Sequence, residues 1–355
     1  TSKTCKLRDD DAGYLNLERI FDSNEFEPEK SGSAVWLKDG PGYTTLEDSN
    51  NPEGGKDIVW YDPDTGCRKI LVSFESLIPT DGNEPLDIEG YKLSKDGKKL
   101  LVFTNTRRVW RRNTRGDYWV LDLTPALSCE SKSGGNLRKL GGDVEPSTIM
   151  FAKFSPDGCR VAYVHERNLF VQDLNDLSIT QLTMDGSDTI INGTSDWVYE
   201  EEFGLRDGFR WSPDGNSIAY WQFDTEDVCD FSLINYTDSL YPDITTFQYP
   251  KVGEKNSACR IGVVSSNGGE TVWLDIPGDS RDHYIPKMDW AENSVEIVLQ
   301  QLNRLQNTNK VMLGDVRTGR VRTVLTESDE AWIDVHNDLE WLDDGSAFTW
   351  LSERD

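Results

Sequence analysis

The sequence predicts an all-β protein organised as a β-propeller, which is built from four-stranded antiparallel sheets called blades. Two observations predict this fold: a hairpin pattern that recurs along the chain, and a second two-stranded pattern that follows most of its copies. Aromatic residues make up 10% of the 355 residues, and the 29 glycines and 14 prolines are scattered. This composition is typical of a folded chain with many short strands joined by turns.

Each copy of the first pattern is an alternating strand, a tight turn and another alternating strand. Asp-Gly between alternating apolar runs indicates a hairpin, because glycine accepts the positive φ that a tight turn demands. The clear copies are YKLSKDGKKLLVFT (91–104), AKFSPDGCRVAYVH (152–165), FRWSPDGNSIAYWQ (209–222) and LEWLDDGSAFTWLS (339–352), and the weaker ones are AVWLKDGPGYTTLE (34–47) and MDWAENSVEIVLQQ (288–301). The turn positions Asp39, Asp96, Asp157, Asp214, Asn293 and Asp344 are separated by 57, 61, 57, 79 and 51 residues.

The second pattern is again a strand, a turn and a strand, so one period contains four strands. It is clearest at 57–71, 169–183 and 310–325, and less regular at 118–123 and 261–274. The sixth first hairpin has no second hairpin after it, so we expect the chain to stop inside a blade and to be part of a longer polypeptide. The long 79-residue period contains an insertion at 223–257.

The charge of the chain excludes some classes of partner. A formal net charge of -26 argues against nucleic acid and against anionic lipid, because both need a basic surface. A small cationic group, such as the amino terminus of a peptide, would be attracted. The alternative is that most of the acid only keeps the protein soluble.

No catalytic apparatus is visible in the chain. It has three histidines: His165, expected to pack at a blade end, and His283 and His336, expected in loops. No G-x-S-x-G nucleophile motif occurs, and no Cys/His cluster has the spacing of a zinc site, so we expect no metal or cofactor. The tripeptides NGT (192–194) and NYT (235–237) fit the N-glycosylation pattern and favour a location outside the cytoplasm.

The stretch DWVYEEEF (196–203) is the most unusual segment of the chain. Asp196 is a suitable N-cap for a short helix, and Trp197, Val198, Tyr199 and Phe203 can pack against the protein. Successive glutamates then point about 100° apart, so two of Glu200, Glu201 and Glu202 can face one cavity. Such a pair can accept several hydrogen bonds from an ammonium group. The alternative from composition alone is a solvated acidic turn.

DWVYEEEF closely resembles the glutamate motif of the dipeptidyl peptidase IV-like serine peptidases, members of the prolyl oligopeptidase clan that remove dipeptides from peptide N-termini. Further segments resemble the same family in the same order, from Leu17 to the end of the chain. They are LERIF (17–21), VWRRNTRGDYWVLDL (109–123), FDTEDV (223–228), YPKVGEKN (249–256), DHYIPKMDW (282–290) and WLSERD (350–355).

The resemblance implies an eight-bladed propeller, of which about six blades are present, followed by an α/β-hydrolase domain that is absent from this chain. It places the catalytic Ser, Asp and His in that domain, so this chain alone is expected to be inactive. It assigns Glu201 and Glu202 to the α-ammonium of the substrate, and Arg111 to the carbonyl oxygen of its second residue. Glu200 is expected on the helix face without that role. The alternative for Arg111 is that it belongs to a basic run that offsets nearby acid.

We therefore expect a lead-in at 1–16 and an incomplete propeller at 17–355, with the glutamate helix at 196–203. The function expected is anchoring of peptides with a free N-terminus and gating of access, in an enzyme that releases Xaa-Pro or Xaa-Ala dipeptides. The alternatives are a prolyl tripeptidyl peptidase of the same clan and a non-catalytic propeller that binds proteins. Expected partners are the hydrolase domain of the same polypeptide and a second copy in a homodimer. The expected location is extracytoplasmic: periplasmic, secreted or membrane-anchored outward.

Overall fold

The computed structural model describes residues 13–28, 34–37, 40–51, 54–123, 135–342 and 345–354. Within these ranges the chain forms two compact units, 1–73 and 74–355. Most of the expected lead-in, Cys5, Cys129 and the turn positions Asp39 and Asp344 lie outside the described residues.

The first unit contains one four-stranded blade. Its strands pair in the order β1-β2-β3-β4, all antiparallel, after a short π-helix at Glu18–Asp22. The strands are β1 (Val35–Trp36), β2 (Tyr43–Asp48), β3 (Lys56–Tyr61) and β4 (Arg68–Val72).

The second unit begins with a 3-10 turn at Phe74–Leu77 and continues with blades 2 and 3. These two blades share one continuous sheet, because β7 pairs with β9 of the next blade as well as with β6 and β8. Blade 2 contains β5 (Gly90–Leu93), β6 (Lys99–Val109), β7 (Arg112–Asp122) and β8 (Leu137–Lys139). Blade 3 contains β9 (Ile149–Phe154), β10 (Arg160–His165), β11 (Asn168–Asp173) and β12 (Ile179–Gln181).

Blades 4 and 5 and the start of blade 6 complete the second unit. Blade 4 contains β13 (Ile190–Asn192), β14 (Phe209–Trp211), β15 (Ser217–Asp224), β18 (Ala258–Ser265) and β19 (Val272–Trp273), with helix α1 (Trp197–Phe203) between β13 and β14. Blade 5 contains β20 (His283–Trp290), β21 (Glu296–Asn303), β22 (Thr308–Asp315) and β23 (Val321–Ser328), and blade 6 begins with β24 (Glu340–Leu342) and β25 (Ala347–Thr349). The predicted architecture of four-stranded blades is confirmed, with a fifth strand in blade 4. The strand pairs of all six first hairpins are present, although the turns at Asp39 and Asp344 lie outside the described residues.

The repeated turn owes its sequence to a hydrogen-bond network. In blade 4, the Ser212 hydroxyl donates to Asp214 at 2.6 Å, and Asp214 also accepts from the backbone N–H of Asn216 at 3.0 Å. Gly215 follows with φ 71, a left-handed conformation that glycine adopts without strain. Blades 2 and 3 repeat this network at Ser94–Asp96 and Ser155–Asp157. In blades 2, 3 and 4 the turn therefore uses serine and aspartate as well as glycine.

The hydrophobic core lies between successive blades. One cluster joins blades 2 and 3, a second joins blades 3 and 4, and a third joins blades 4 and 5 with α1. Two indole groups add hydrogen bonds between the first strands of neighbouring blades. The Nε1–H of Trp211 donates to the carbonyl of Lys153, and that of Trp290 donates to the carbonyl of Arg210, both at 3.2 Å.

The predicted insertion forms its own two-stranded hairpin, β16 (Asp230–Asn235) and β17 (Asp243–Gln248), between the blade strands β15 and β18. Its surface is apolar for an exposed hairpin. Six large apolar side chains are exposed there, namely Leu233, Ile234, Tyr236, Leu240, Tyr241 and Ile244.

Two expectations about single residues are wrong. His283 is the first residue of β20 and is buried, whereas the sequence predicted a loop. The polar pair Asp282-His283 is typical of a loop, but the apolar run that follows this pair extends the strand back to His283. Asn192 of the NGT tripeptide is fully buried and hydrogen-bonded to Asp185 and Gln222, so it is not an accessible glycosylation site. His165 ends β10, as predicted, with its ring against Phe170. None of the helices in the described ranges has the length and apolarity needed to cross a membrane.

Candidate functional site

Helix α1 has a defined beginning and end. Asp196 is its N-cap, as predicted: its Oδ1 accepts from the backbone N–H of Tyr199 at 2.9 Å, and its Oδ2 accepts from the Ser257 hydroxyl at 2.6 Å. Burial raises the pKa of Asp196, although these hydrogen bonds act in the opposite direction. Gly204 ends the helix in the left-handed conformation, with φ 64 and its N–H bonded to the carbonyl of Tyr199.

Tyr199 fixes the helix onto the blades. Its ring is buried against Phe223 of blade 4, with ring centroids 4.6 Å apart. Its hydroxyl accepts a 2.9 Å hydrogen bond from the backbone N–H of Ile285 in blade 5. Trp197 packs elsewhere, against Tyr249 beside the insertion hairpin. The helix is therefore held by blade 4, blade 5 and the insertion together.

The three glutamates of the helix have three different environments. The side chain of Glu200 is only 4% exposed, and its Oε1 lies 3.2 Å from Nε of Arg206. The side chain of Glu201 is 13% exposed, and its Oε2 lies 2.7 Å from Nε of Arg111. Glu202 is exposed and makes no ion pair with any residue that the structure describes.

Burial raises the pKa of Glu200, while Arg206 acts in the opposite direction. Glu200 is thus a structural residue buried in an ion pair, which the sequence reading of a helix-face residue missed. The signal was present in principle, because Arg206 is three residues after Phe203, the last residue of the helix. The left-handed turn at Gly204 reverses the chain, so that the side chain of Arg206 lies beside Glu200 of the helix.

Arg111 lies at the tip of a long hairpin formed by β6 and β7. Trp110, beside it, has φ 43, a conformation that is strained for a bulky residue. The turn is held in part by Nε of Arg108, which donates to the carbonyl of Trp110 at 2.7 Å. The side chain of Arg111 itself is 74% exposed. The hairpin therefore projects Arg111 from the blade toward the helix.

A buried carboxylate braces the base of this hairpin. Asp117 accepts from the amide of Asn105 at 2.8 Å and from the backbone N–H of Ser147 at 2.9 Å. The pairing of β6 with β7 shifts register at Asn105, whose φ is 47. Such a bulge bends a hairpin and sets the direction of its tip.

The structure brings Arg111 and Glu201 into contact and places Glu202 on the next position of the same helix. Two carboxylates on one helical turn can accept the N–H groups of an ammonium ion. An adjacent guanidinium can donate to a carbonyl oxygen. The site thus offers carboxylate acceptors for an ammonium group and a guanidinium donor for a carbonyl oxygen. The first residues of a peptide carry both of these groups.

Two clefts flank helix α1. One, of about 440 Å³, lies between the arginine hairpin and the N-terminal end of the helix, where Trp110, Asp196 and Trp197 line it. The other, of about 960 Å³, begins at Gly204–Asp207 directly after the helix and extends to blade 6. We name the second the tryptophan-lined cleft, because its walls include Trp211, Trp221, Trp290 and Trp341.

Repeated four-stranded blades that carry a braced acidic helix beside an arginine hairpin define a propeller with a charged candidate site. Residues 94–355 match the family described as "Dipeptidyl peptidase IV (DPP IV) N-terminal region", and the chain belongs to that family.

Known proteins of the same kind match most of this chain. The crystal structure of Porphyromonas gingivalis dipeptidyl peptidase 4 superimposes with a TM-score of 0.77 at 28% identity, over 92% of this chain and 44% of that one. Dipeptidyl aminopeptidase B of Saccharomyces cerevisiae is 29% identical over 285 residues, which are 78% of this chain and 33% of the yeast protein. A probable dipeptidyl peptidase 4 of Neosartorya fischeri is 29% identical over 308 residues, or 83% and 38% of the two chains. The chain thus spans about a third of the length of these curated relatives.

Proposed function

We propose that this chain is the propeller region of a serine exopeptidase that releases N-terminal dipeptides of the type Xaa-Pro or Xaa-Ala. Glu201 and Glu202 bind the α-ammonium of the peptide, and Arg111 binds the carbonyl oxygen of its second residue. The observation that carries the proposal is the 2.7 Å contact between Arg111 and Glu201 on a helix capped at both ends. It brings the acceptor and donor groups to one place, as recognition of a peptide amino terminus requires.

The site acts as a ruler. Because the ammonium is fixed at one end, the scissile bond falls at a set distance from it, and a blocked N-terminus loses the charge match. Catalytic Ser, Asp and His belong to an α/β-hydrolase domain of the same polypeptide, consistent with relatives that are about three times as long as the matched region. The proposed location of the enzyme is extracytoplasmic.

The test uses the full-length protein and an Xaa-Pro peptide. Glu201→Ala and Glu202→Ala are each expected to lower kcat/KM by at least about 30-fold, because each removes a charge-assisted hydrogen bond worth roughly 2–5 kcal/mol. Glu270→Ala, at an exposed acid in the loop before β19, is the matched control and is expected to behave as wild type. Wild-type rates in both helix variants would refute the proposed roles.

The mass of the released product distinguishes the alternatives. A dipeptide supports the proposal, and a tripeptide identifies the prolyl tripeptidyl peptidase of the same clan. No cleavage by a full-length chain that lacks a G-x-S-x-G serine would identify a protein-binding propeller.

We also propose that the intact enzyme is a homodimer in which the hairpin β16–β17 takes part. Its exposed apolar side chains, among them Leu240 at 92% and Tyr241 at 79% exposure, form a surface that is costly to leave in water. Sedimentation of full-length wild type and of a Leu240→Asp, Tyr241→Asp variant tests this. We expect the variant to shift toward the monomer, and a monomeric wild type would contradict the proposal.

A further inference from the structure

The tryptophan-lined cleft contains two basic side chains that helix α1 does not use. Arg210 comes from β14 of blade 4 and Lys287 from β20 of blade 5, and both line the cleft. The chain has 37 Lys and Arg residues against 63 Asp and Glu residues, so basic groups are the minority of its charges.

A break in strand pairing determines where Lys287 lies. The register of β20 on β21 shifts between Tyr284 and Lys287, so the intervening residues form a bulge. The bulge is fixed at both polar groups of Ile285: its N–H donates to the hydroxyl of Tyr199, and its carbonyl accepts from the indole of Trp221 at 2.8 Å. Bulges redirect side chains and are frequent beside functional sites. The bulge that positions Lys287 is therefore tied directly to the glutamate helix.

The guanidinium of Arg210 has unused hydrogen-bond donors. Its Nη1 donates to the carbonyls of Asp207 at 2.9 Å and Phe209 at 2.7 Å. The same Nη1 lies 3.5 Å from Oδ1 of Asp207, and the side chain of Arg210 is 30% exposed. The Nε and Nη2 atoms of the guanidinium make no hydrogen bond to any described residue. The group also lies over the ring of Trp221, 5.5 Å from the centroid, which limits its movement. A guanidinium held in this way presents a fork that matches a carboxylate.

Lys287 lacks a compensating acid. It is half-buried and makes no ion pair within the described part of the chain. Burial and the charge of Arg210 both lower its pKa. Four acids line the same cleft. Asp207 forms an ion pair with Arg210, whereas the exposed Asp289, Glu292 and Glu340 form none with Arg210 or Lys287. Asp207 is shared between Arg210 and Lys153, so one acid serves two cations while Lys287 has none. Arg210 and Lys287 therefore repel each other, and an anionic ligand would relieve this repulsion.

We propose that Arg210 and Lys287 form a subsite for a carboxylate of a peptide, supplied by its C-terminus or by an Asp or Glu side chain. Trp211 and Trp341, which are half-buried and line the cleft, provide apolar walls for the adjacent chain of the ligand. The subsite and the ammonium site share one support, because Tyr199 of helix α1 bonds to the bulge that precedes Lys287. A role of this subsite in selecting substrates rests on the proposed function, whereas the binding of a carboxylate by Arg210 and Lys287 does not.

Blocked peptides test the binding alone, because an acetylated N-terminus has no ammonium for Glu201 and Glu202. The full-length protein is titrated with acetyl-Gly-Gly-Gly, which has a terminal carboxylate, with acetyl-Gly-Glu-Gly-amide, which has a side-chain carboxylate, and with uncharged acetyl-Gly-Gln-Gly-amide. Intrinsic tryptophan fluorescence reports the cleft. We expect saturable binding of at least one charged probe and much weaker binding of the uncharged one, and the preferred probe identifies the source of the carboxylate.

Two lysine variants decide whether the site is local. Lys287→Gln is expected to raise the Kd of the charged probe roughly tenfold, as for loss of one charge-assisted hydrogen bond. Lys310→Gln, at a half-buried lysine of β22 outside the cleft, removes the same charge and is expected to leave the Kd unchanged. Binding that is absent, equal for charged and uncharged probes, unchanged in Lys287→Gln, or equally weakened in Lys310→Gln overturns the proposal. Probe binding that persists in Glu201→Ala separates this result from that of the ammonium site.

Discussion

The guanidinium of Arg111 contacts the carboxylate of Glu201 at 2.7 Å, although the two residues belong to different blades. The contact joins the tip of a strained hairpin to a helix that is capped at both ends. It is a surface ion pair on the side of Arg111 and a mostly buried one on the side of Glu201. The hairpin and the helix therefore determine the distance between Arg111 and Glu201, and the attraction between the two side chains contributes little to it.

Arg111→Gln is expected to leave the stability nearly unchanged and to impair substrate binding. Exposed ion pairs contribute about 0–1 kcal/mol, and Arg111 is 74% exposed, so urea denaturation should shift by less than about 0.5 kcal/mol. In the full-length enzyme, KM for an Xaa-Pro peptide should rise roughly tenfold. Arg107→Gln is the control, because it removes an exposed charge from the same basic run. An equal effect of both variants would mean that the run only offsets nearby acid.

Glu200 and Glu202 should separate stability from binding. Glu200→Gln leaves Arg206 without its buried counter-charge and is expected to lower the free energy of unfolding by about 1–3 kcal/mol. Glu202→Gln changes an exposed side chain and should stay within about 0.5 kcal/mol of wild type. Chemical denaturation measures both. Equal stability of the two variants would show that the contact of Glu200 with Arg206 does not stabilise the helix.

Asp196 is expected to stabilise helix α1 through its cap. Asp196→Ala removes the acceptor for the N–H of Tyr199 and leaves the buried hydroxyl of Ser257 without its partner, which should cost about 1–2 kcal/mol. Asp196→Asn keeps an acceptor oxygen and should cost less. Urea denaturation of the two variants tests the order, and a loss in Asp196→Asn as large as in Asp196→Ala would contradict it.

Lys153 should give the stability a dependence on alkaline pH. Burial lowers its pKa from 10.5 to about 8; its contact with Asp207 opposes this shift, and the charge of Arg210 adds to it. Between these values the unfolded chain holds a proton that the folded chain has lost, so the contribution of Lys153 to the free energy of unfolding rises with pH, on the order of 3 kcal/mol across the window. Below about pH 8 both states are protonated and the cost of burying the charge is present in full.

The measurement is urea denaturation between pH 7.5 and 10.5. Lys153→Met should show a smaller rise with pH than wild type, whereas Lys310→Met should follow wild type. Parallel curves for wild type and Lys153→Met would mean that the lysine titrates normally in the folded protein.

The repeat made the blades predictable because its signal is local. Ser212, Asp214 and Gly215 form their turn from their own side chains and backbone, so the same letters produce the same hairpin in each blade. The cap at Asp196 is local in the same way. Even Asn293, where the glycine is missing, accepts from the N–H of Val295 at 2.8 Å and keeps the turn.

The site was only partly predictable because its contacts are not local. The sequence indicated that the glutamates are separated around a helix, but which of them is buried depends on how Tyr199 seats on Phe223 and Ile285. Pro286 in DHYIPKMDW is a sequence signal of the bulge before Lys287, but it does not show that Tyr199 and Trp221 bond to that bulge. Partners such as Trp221 come from another strand, so only the assembled blades reveal these roles.

The indole bonds between neighbouring first strands have a consequence for how such a chain can grow. In blade 4 the donor Trp211 sits one residue after Arg210, whose carbonyl accepts from Trp290 of the following blade. The donor and the acceptor thus lie in the same repeat. Tandem duplication of this segment copies both the indole donor and the carbonyl acceptor. A newly duplicated blade can therefore form this hydrogen bond with the preceding blade before any substitution has adapted the interface between them.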